Sequence, residues 1–442
     1  MLVAPTRQHK IDLSSWVFRD SSSSLISSMI MKFLSVFSFA LAAIPTGASA
    51  SQQQQRQQPY STWMLESILA RHEGVQASGA MTKQIEKGIF QEALRAAINQ
   101  SEDAAQRARW TEYHGRSVQQ GIQEALNASK DALDYGLDRL CLARSLIELG
   151  PDGPYDDQAL RALRESVRLQ PRNAQGGLWY YANPPAPYNY YGDASYSDGM
   201  YGFAPYATLW GATTGDTALN LDSAFQQLEL LYRNARDAAT GLVRHGYEES
   251  RNASWADAAT GASPIVWGRS LAWYTVGLVD ALEISAAVSP ASTETATFQR
   301  MQALFRALAE AELKIIQRSV QKTGRYGIWQ VVDQPGSADN FVEASAGALI
   351  TFALAKGARL GYLADLQGHV LTVAGKMHHD LVAHFVVRNQ NQTLDYLGTS
   401  AMASLHQPQV DYHYYTGLST TTNSLIGTSA FVLASLEIER MM

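Results

Sequence analysis

Apolar residues recur every three to four positions along most of the chain after Tyr60, which is the spacing of amphipathic helices. Loops rich in Gly, Pro and Asn separate the periodic stretches, and alternating strand patterns are scarce. The periodicity predicts helices over residues 85–98, 137–149, 158–169, 221–236, 270–287, 297–318, 344–361, 370–388 and 424–442. Because no low-complexity linker interrupts these segments, the pattern favours a single all-helical domain.

Short segments rich in aromatic, acidic and glycine residues lie just before or at the start of several predicted helices. They occupy residues 132–138, 196–201, 263–267, 327–330 and 340–345. This recurrence indicates helical hairpins that return their loops to one end of a closed ring. That end is expected to carry the active site.

Composition changes this picture little. The 442 residues are 46% apolar and 17% charged, which is enough to bury a large core. The net charge of -6 and the lack of a long Lys/Arg run predict no general attraction to nucleic acid or to acidic lipid. An anionic ligand would therefore be bound by a few local cations.

The first 50 residues are expected to be an N-terminal extension and a secretory signal peptide. Residues 31–50 combine a short basic start at Met31 and Lys32, an apolar stretch over 33–44 and a small-residue end, so cleavage is predicted after Ala50. An internal start at Met31 or Met29 would explain the unusual residues that precede it. The apolar stretch is short for a membrane span. The mature domain would cover residues 51–442.

Four glycosylation sequons fit a secreted, extracellular glycoprotein, although sequons also arise by chance. They begin at Asn99, Asn127, Asn252 and Asn391. The lone Cys141 excludes an intrachain disulfide and is expected to be a buried small apolar residue.

The segments whose side chains could bind or act on a ligand contain tryptophan, tyrosine, aspartate, histidine and arginine. They are residues 179–181, 196–201, 245–247 and 267–273. Aromatic faces can stack on sugar rings, and an acid and an arginine nearby suit an acidic sugar. The sequence therefore predicts a carbohydrate enzyme.

Several of these motifs together, in order from about Ser61 to the C-terminus, resemble glycoside hydrolase family 105, the unsaturated rhamnogalacturonyl hydrolases. The motifs are residues 170–173, 177–179, 198–201, 260–261, 263–264, 267–269, Trp273 and 327–345. The resemblance implies an (α/α)6 barrel of six inner and six outer helices.

The resemblance also implies a substrate and a reaction. The substrate would be a lyase product that carries a 4,5-unsaturated galacturonosyl residue at its non-reducing end. A carboxylic acid would protonate C4, water would add at C5, and the resulting hemiketal would open and release the rest of the sugar. No cofactor or metal is expected, and the protein would be a monomer or a weak homo-oligomer.

Asp198 and Asp138 match the two active-site aspartates of the family. Asp198 is expected to be the catalytic acid and base, and Asp138 to orient the water or to raise the proton affinity of Asp198. Their alternative roles are structural. Asp198 could cap the following helix, and Asp138 could pair with Arg139 or Arg144 on a helix surface.

Arg269 and Trp273 lie four residues apart, so they share one face of a helix. Arginine can bind a carboxylate through two parallel hydrogen bonds, and tryptophan offers a flat surface for a sugar ring. Trp267 and His245 match family positions and join the predicted substrate-binding set. The alternatives are a core tryptophan covered by an arginine and a purely structural histidine.

Four further residues are weaker candidates for substrate binding: Trp179, Tyr201, Trp329 and Glu343. Trp179 could instead pack the loop that follows it, and Glu343 could cap the next helix. The sequence departs from the family where Ser270 replaces a common glycine and Ser197 a larger apolar residue. The adjacent His378 and His379 point to different faces of a helix, so a metal site there is disfavoured.

Two other functions stay open. An unsaturated glucuronyl hydrolase acting on other lyase products would share the fold and the mechanism. A catalytically silent sugar-binding barrel would keep Trp267, Arg269 and Trp273 and tolerate the loss of Asp198. A helical-barrel epimerase fits less well, because such enzymes rely on histidine pairs.

Overall fold

The computed structural model describes residues 58–76, 79–126, 130, 135–150, 157–364 and 366–441. The predicted extension and signal peptide over residues 1–50 and the sequon at Asn127 lie outside these residues. Gln57–Met442 forms one compact unit.

Helices dominate this unit. Those of the described residues are α1 (Tyr60–Ala70), α2 (Lys83–Gln100), α3 (Ala104–Ala125), a 3₁₀ helix (Leu137–Leu142) continued by α4 (Ala143–Leu149), α5 (Asp157–Leu169), α6 (Gly199–Thr214), α7 (Leu221–Ala235), α8 (Gly268–Val288), a 3₁₀ helix (Pro290–Glu294), α9 (Ala296–Thr323), α10 (Ala344–Arg359), α11 (Gln367–Phe385), α12 (Tyr412–Thr416) and α13 (Leu425–Glu439).

The long helices alternate between two concentric rings. The inner ring runs α2, α4 with its 3₁₀ helix, α6, α8, α10 and α13, and α13 packs back against α2 to close it. The helices α1, α3, α5, α7, α9 and α11 pack outside this ring. The predicted (α/α)6 barrel is therefore confirmed.

Burial follows the ring to which each helix belongs. The inner helix α8 is buried almost throughout, whereas the outer helix α7 buries only one side. Within the described residues, α8 alone has the length and apolarity of a bilayer-crossing segment, and 78% of its apolar window is buried. An inner barrel helix has this apolar character because neighbouring helices surround it.

Of the described helices with ten residues or more, three are absent from the periodic segments of the sequence. In α3 the buried residues, among them Trp110, Tyr113, Val118 and Ile122, form a sparse stripe in a polar sequence. Helix α6 contains Pro205 and is apolar on all sides, so no period stands out. The third is the short α1. The predicted helix over 370–388 ends earlier, at Phe385, where a strand begins.

In the part of the chain that the structure describes, six strands of two or three residues connect the loops at one end of the barrel. They pair antiparallel as β1 (Ala194–Tyr196) with β2 (Gly246–Glu248), β3 (Val386–Arg388) with β4 (Leu394–Tyr396), and β5 (Thr399–Ser400) with β6 (Thr420–Thr421). Beyond the first pair, the Ser197 amide donates to the His245 carbonyl at 2.9 Å. This ladder places the start of α6 beside His245.

Candidate active site

A cavity of about 440 Å³ lies where the inner helices begin. Its described lining residues come from the first turns of α2, α6, α8 and α13, from the 3₁₀ helix before α4, and from two loops. They are Thr82, Ile85, Asp138, Tyr180, Tyr181, Tyr196, Asp198, Trp267, Arg269, Trp273, Met402, Ala403, Ser404 and Ile426. Helix N-termini carry partial positive charge, so this end of the barrel suits an anionic ligand.

Asp198 occupies the N-cap position of α6 but does not cap it. Its side chain makes no hydrogen bond to the helix amides. Instead, Oδ2 accepts a hydrogen bond of 2.5 Å from the Ser270 hydroxyl on α8. The residue is 8% exposed and lines the cavity, so the capping role does not describe it.

His245 is fully buried next to this carboxylate. Its Nε2 atom lies 3.4 Å from Oδ2 of Asp198 without hydrogen-bond geometry, and its Nδ1 atom lies 2.6 Å from the Tyr415 hydroxyl. Its ring packs against Trp267 at 4.7 Å between centroids. His245 therefore forms the wall behind Asp198 and is absent from the cavity lining.

Asp138 is also buried, in the 3₁₀ helix that precedes α4. Burial raises the pKa of its carboxyl group to about 7; a hydrogen bond with Tyr180 lowers the pKa and the nearby Asp198 raises it. Arg144 pairs with Glu148 and Asp280, and Asp138 lies in the cavity, away from any exposed helix surface. Near neutral pH Asp138 exists in both its protonated and its ionised form.

Arg269 is the one cation among the described residues that line the cavity. Its Nη1 and Nη2 atoms donate to the carbonyls of Ser400 at 2.6 Å and Ala401 at 2.9 Å, and Nη1 lies 3.7 Å from Glu343. Its guanidinium stacks over Trp267 at 4.8 Å. Burial lowers its pKa, and Glu343 opposes this shift. The charge is thus held in a fixed place at the cavity wall.

Trp267, at the N-cap of α8, and Trp273, within α8, form an aromatic wall of the cavity. Both are buried, and Arg269 and Trp273 lie on the same face of α8, as their four-residue spacing predicts. The Trp267 indole donates to Gln330 at 3.1 Å, and Trp273 packs against Tyr201 at 4.4 Å between centroids. Flat, fixed rings next to a cation are suited to a sugar acid.

Besides His245, four predicted binding residues lie outside the cavity lining. Tyr201 points its hydroxyl into the barrel interior, where it donates to Glu92 at 2.7 Å. Trp179 is half-buried beside the following loop, and the Trp329 indole donates to Ser319 at 2.8 Å. Glu343 caps α10 by accepting from the Ala346 amide at 2.6 Å.

Sequence reasoning missed the segment from Ser400 to Ser404. Ser400 and Ala401 fix Arg269, and Met402, Ala403 and Ser404 line the cavity. The segment has no helical period and no ionisable side chain, so nothing in it signals a site. Tyr415, which contacts His245, lies in the aromatic run of α12.

The His378 and His379 pair is not part of the site. His378 lies 2.8 Å from the Ser435 hydroxyl and stacks on Phe431, and Asp380 pairs with Arg325 at 2.9 Å. Within the described ranges, no group of three His, Cys, Asp or Glu side chains could hold a metal ion.

The chain matches known families over most of its length. The profile described as Glycosyl Hydrolase Family 88 matches residues 60–442. Protein Atu3128 of Agrobacterium fabrum is 37% identical over 173 residues, or 39% of this chain and 67% of that protein. The 24.9 kDa protein in the picA locus of Rhizobium radiobacter matches with the same values.

Solved structures share the barrel. A family 105 glycoside hydrolase of C. acetobutylicum has a TM-score of 0.70 at 22% identity, covering 87% of this chain and 100% of that one. An unsaturated glucuronyl hydrolase of Bacillus sp. GL1 has a TM-score of 0.60 at 14% identity, covering 86% and 95%. The likeness to family 105 is thereby confirmed for the fold.

Proposed function

Because the chain belongs to Glycosyl Hydrolase Family 88, we propose that it removes a 4,5-unsaturated galacturonosyl residue from the non-reducing end of rhamnogalacturonan lyase products. The observation that carries this proposal is the Asp198 carboxyl group. It lies at a helix N-terminus, yet it faces a cavity whose walls also hold Asp138, Arg269 and Trp273.

The proposed reaction uses Asp198 twice. Its carboxyl proton goes to C4, and the electron pair of the C4–C5 double bond forms the new C–H bond. Water then bonds to C5 and returns a proton to the Asp198 carboxylate. The resulting hemiketal opens to a ketone, and the hemiacetal left at C1 releases the remaining sugar. The aspartate ends in its starting state, so it acts as acid and then as base.

Asp138 supports this cycle from the same cavity. Burial keeps its pKa near neutrality, so it can accept or donate a hydrogen bond to the attacking water within the working pH range. In this proposal, Asp138 orients the attacking water beside Asp198.

Arg269 would bind the carboxylate of the unsaturated sugar. Its guanidinium is positioned by the Ser400 and Ala401 carbonyls before any ligand arrives, which reduces the ordering cost of binding. Trp267 and Trp273 would contact the ring faces. A short cavity at the end of a barrel suits removal of one terminal residue.

An unsaturated glucuronyl hydrolase is the second candidate function. The fold likeness to the Bacillus sp. GL1 enzyme of that name supports it, and the same aspartate would serve. The two activities differ in the sugar beyond the first one.

The first experiment separates these functions. Loss of the ultraviolet absorbance of the unsaturated uronate is followed with rhamnogalacturonan lyase products and, separately, with unsaturated glucuronyl disaccharides. Consumption of only the first supports the leading proposal, and consumption of only the second supports the alternative. Binding of either without consumption would indicate a silent sugar-binding barrel.

We also propose that the protein is secreted and glycosylated. The sequons Asn99, Asn252 and Asn391 all have exposed asparagines, as glycan attachment requires. Expression of the full chain in a secreting host, followed by N-terminal sequencing and glycosidase treatment of the medium protein, tests both features. An unprocessed protein that stays in the cell would contradict them.

A further inference from the structure

Ser270 makes a direct contact with the proposed catalytic acid. It lies in the first turn of α8, is fully buried, and its hydroxyl donates to Oδ2 of Asp198 at 2.5 Å. The same hydroxyl lies 3.3 Å from the His245 carbonyl, which already accepts from the Ser197 amide at 2.9 Å. The carboxylate is therefore the nearer and less occupied acceptor.

The two oxygens of Asp198 have different surroundings. Oδ2 faces Ser270 and His245 Nε2, and no hydrogen bond from the described residues reaches Oδ1. A hydroxyl that donates to one carboxyl oxygen leaves the other as the site for the acidic proton. The two carboxyl oxygens of Asp198 thus differ in their hydrogen bonding before a substrate binds.

We propose that Ser270 is a positioning residue that holds Asp198 by its Oδ2 atom, so that the proton delivered to the sugar is carried on Oδ1. The inference rests on the proposed function, because it assigns the direction of the transferred proton. It also gives a role to a residue that stands where the resembled family commonly has glycine.

Other charged and titratable groups also surround Asp198 and affect its electrostatic environment. Asp138 faces it from the 3₁₀ helix, His245 from the residue before β2, and Arg269 from α8. The hydroxyls of Tyr180, Tyr181 and Tyr415 lie in the same electrostatic surroundings. A Ser270 substitution leaves all six groups in place, so its effect on Asp198 can be isolated.

The test compares Ser270→Ala and Ser270→Gly with the parent protein. The hydroxyl fixes the orientation of the Asp198 carboxyl group, so kcat at its optimum should fall about tenfold without it. KM should change less than about twofold, because the hydroxyl does not face the sugar.

Ser197→Ala is the matched control. Ser197 is equally buried and adjoins Asp198, but its hydroxyl donates to the Arg244 carbonyl at 2.9 Å. Its kcat should stay within about twofold of the parent value. A Ser270→Ala kcat equal to that of the parent, or a Ser197→Ala kcat that falls equally far, would overturn the inference.

A second measurement needs no turnover. The fall in unfolding midpoint caused by Ser270→Ala should be larger in the parent than in an Asp198→Ala background at pH 7, and equal falls would overturn the inference. If the parent consumes no unsaturated substrate, the proposed function fails while this comparison still decides whether Ser270 holds Asp198.

Discussion

Asp198 shows how the role of a residue depends on its partner in another element. Aspartate at a helix N-cap usually accepts from the backbone amides of the first turn. Here the carboxylate accepts from Ser270 on α8 and lies 3.4 Å from His245 on a loop. Two elements distant in sequence therefore keep this carboxyl group available for chemistry.

Replacing Asp198 with asparagine tests this role. Asparagine keeps the size and can still accept from Ser270, but it carries no acidic proton. We expect kcat on the preferred unsaturated substrate to fall about 10²- to 10⁴-fold, the usual contribution of general acid and base catalysis. The circular dichroism spectrum and melting temperature serve as the folding control. Near-normal turnover would contradict the assignment.

Asp138 links the site to stability through its raised pKa. The folded state holds its proton up to about pH 7, whereas the ordinary value is 3.8. Below the ordinary value both states are protonated and the residue costs nothing. As pH rises from there to 7, the unfolded chain ionises Asp138 while the folded protein keeps it protonated, so the free energy of unfolding falls. This loss of stability is complete above pH 7.

Asp138→Asn should therefore stabilise the protein at high pH. We expect its free energy of unfolding to exceed that of the parent by about 2 to 4 kcal/mol at pH 8, and by little at pH 4. Urea unfolding at both values measures the difference. Its kcat should fall and its pH profile should shift, and an unchanged rate and profile would remove Asp138 from the mechanism.

At the scale of elements, the N-termini of α8 and α10 are joined by one buried acid. Glu343 caps α10, accepts from the Ser400 amide at 2.8 Å, and lies 3.7 Å from Arg269. Its side chain thus fixes both the loop that holds Arg269 and the start of an inner helix. Although it does not line the cavity, it controls a residue that does.

Glu343→Gln and Glu343→Ala separate these two functions. Glutamine keeps an acceptor for the helix cap but removes the charge next to Arg269, so we expect a destabilisation of about 1 to 2 kcal/mol and a raised KM. Alanine loses the cap as well and should cost about 1 kcal/mol more. Equal stability and KM for both variants and the parent would show that Glu343 does not act on Arg269.

At the scale of the whole molecule, a network of ion pairs and one tyrosine hydrogen bond connects the six inner helices. Asp280 on α8 pairs with Lys356 on α10 at 2.6 Å and with Arg144 on α4 at 2.9 Å. Arg144 also reaches Glu92 on α2, which accepts from Tyr201 on α6 at 2.7 Å. On α10, Arg359 pairs with Glu437 of α13 at 2.7 Å.

Lys356→Met breaks this network at its centre. The change leaves Asp280 buried with one cation fewer, so we expect a destabilisation of about 3 to 5 kcal/mol at pH 7. Combining it with Asp280→Leu should recover part of that loss, since the Asp280 charge is then removed together with Lys356, while Arg144 keeps its pairs with Glu92 and Glu148. Urea unfolding of the single and double variants measures both effects. A double variant as unstable as the single one would contradict this account.

The network also sets an acid limit. Burial alone would raise the pKa of Asp280, but Lys356 and Arg144 outweigh it and lower that pKa. The resulting stabilisation is complete above the ordinary value of 3.8 and is lost as pH falls through the lowered one. The parent should therefore lose more stability than the double variant between pH 5 and pH 2.

The sequence by itself determined the helical class, most helix positions and the pairing of Arg269 with Trp273 on one face. These features follow from local spacing, because 3.6 residues per turn fix which side chains share a face. The motif resemblance supplied the barrel and the two aspartates. Helices α3 and α6 were not predicted. Hydrophobic periodicity identifies a helix only when its buried and exposed faces differ clearly, whereas α3 has a sparse apolar stripe and α6 is apolar on all sides.

Only the tertiary structure decided which side chains meet. It placed Ser270 against Asp198, directed the Tyr201 hydroxyl to Glu92, and brought Glu343 within 3.7 Å of Arg269. It also added the Ser400 to Ser404 loop to the cavity. These contacts join residues tens to hundreds of positions apart, and ring closure, which no local pattern encodes, sets their distances.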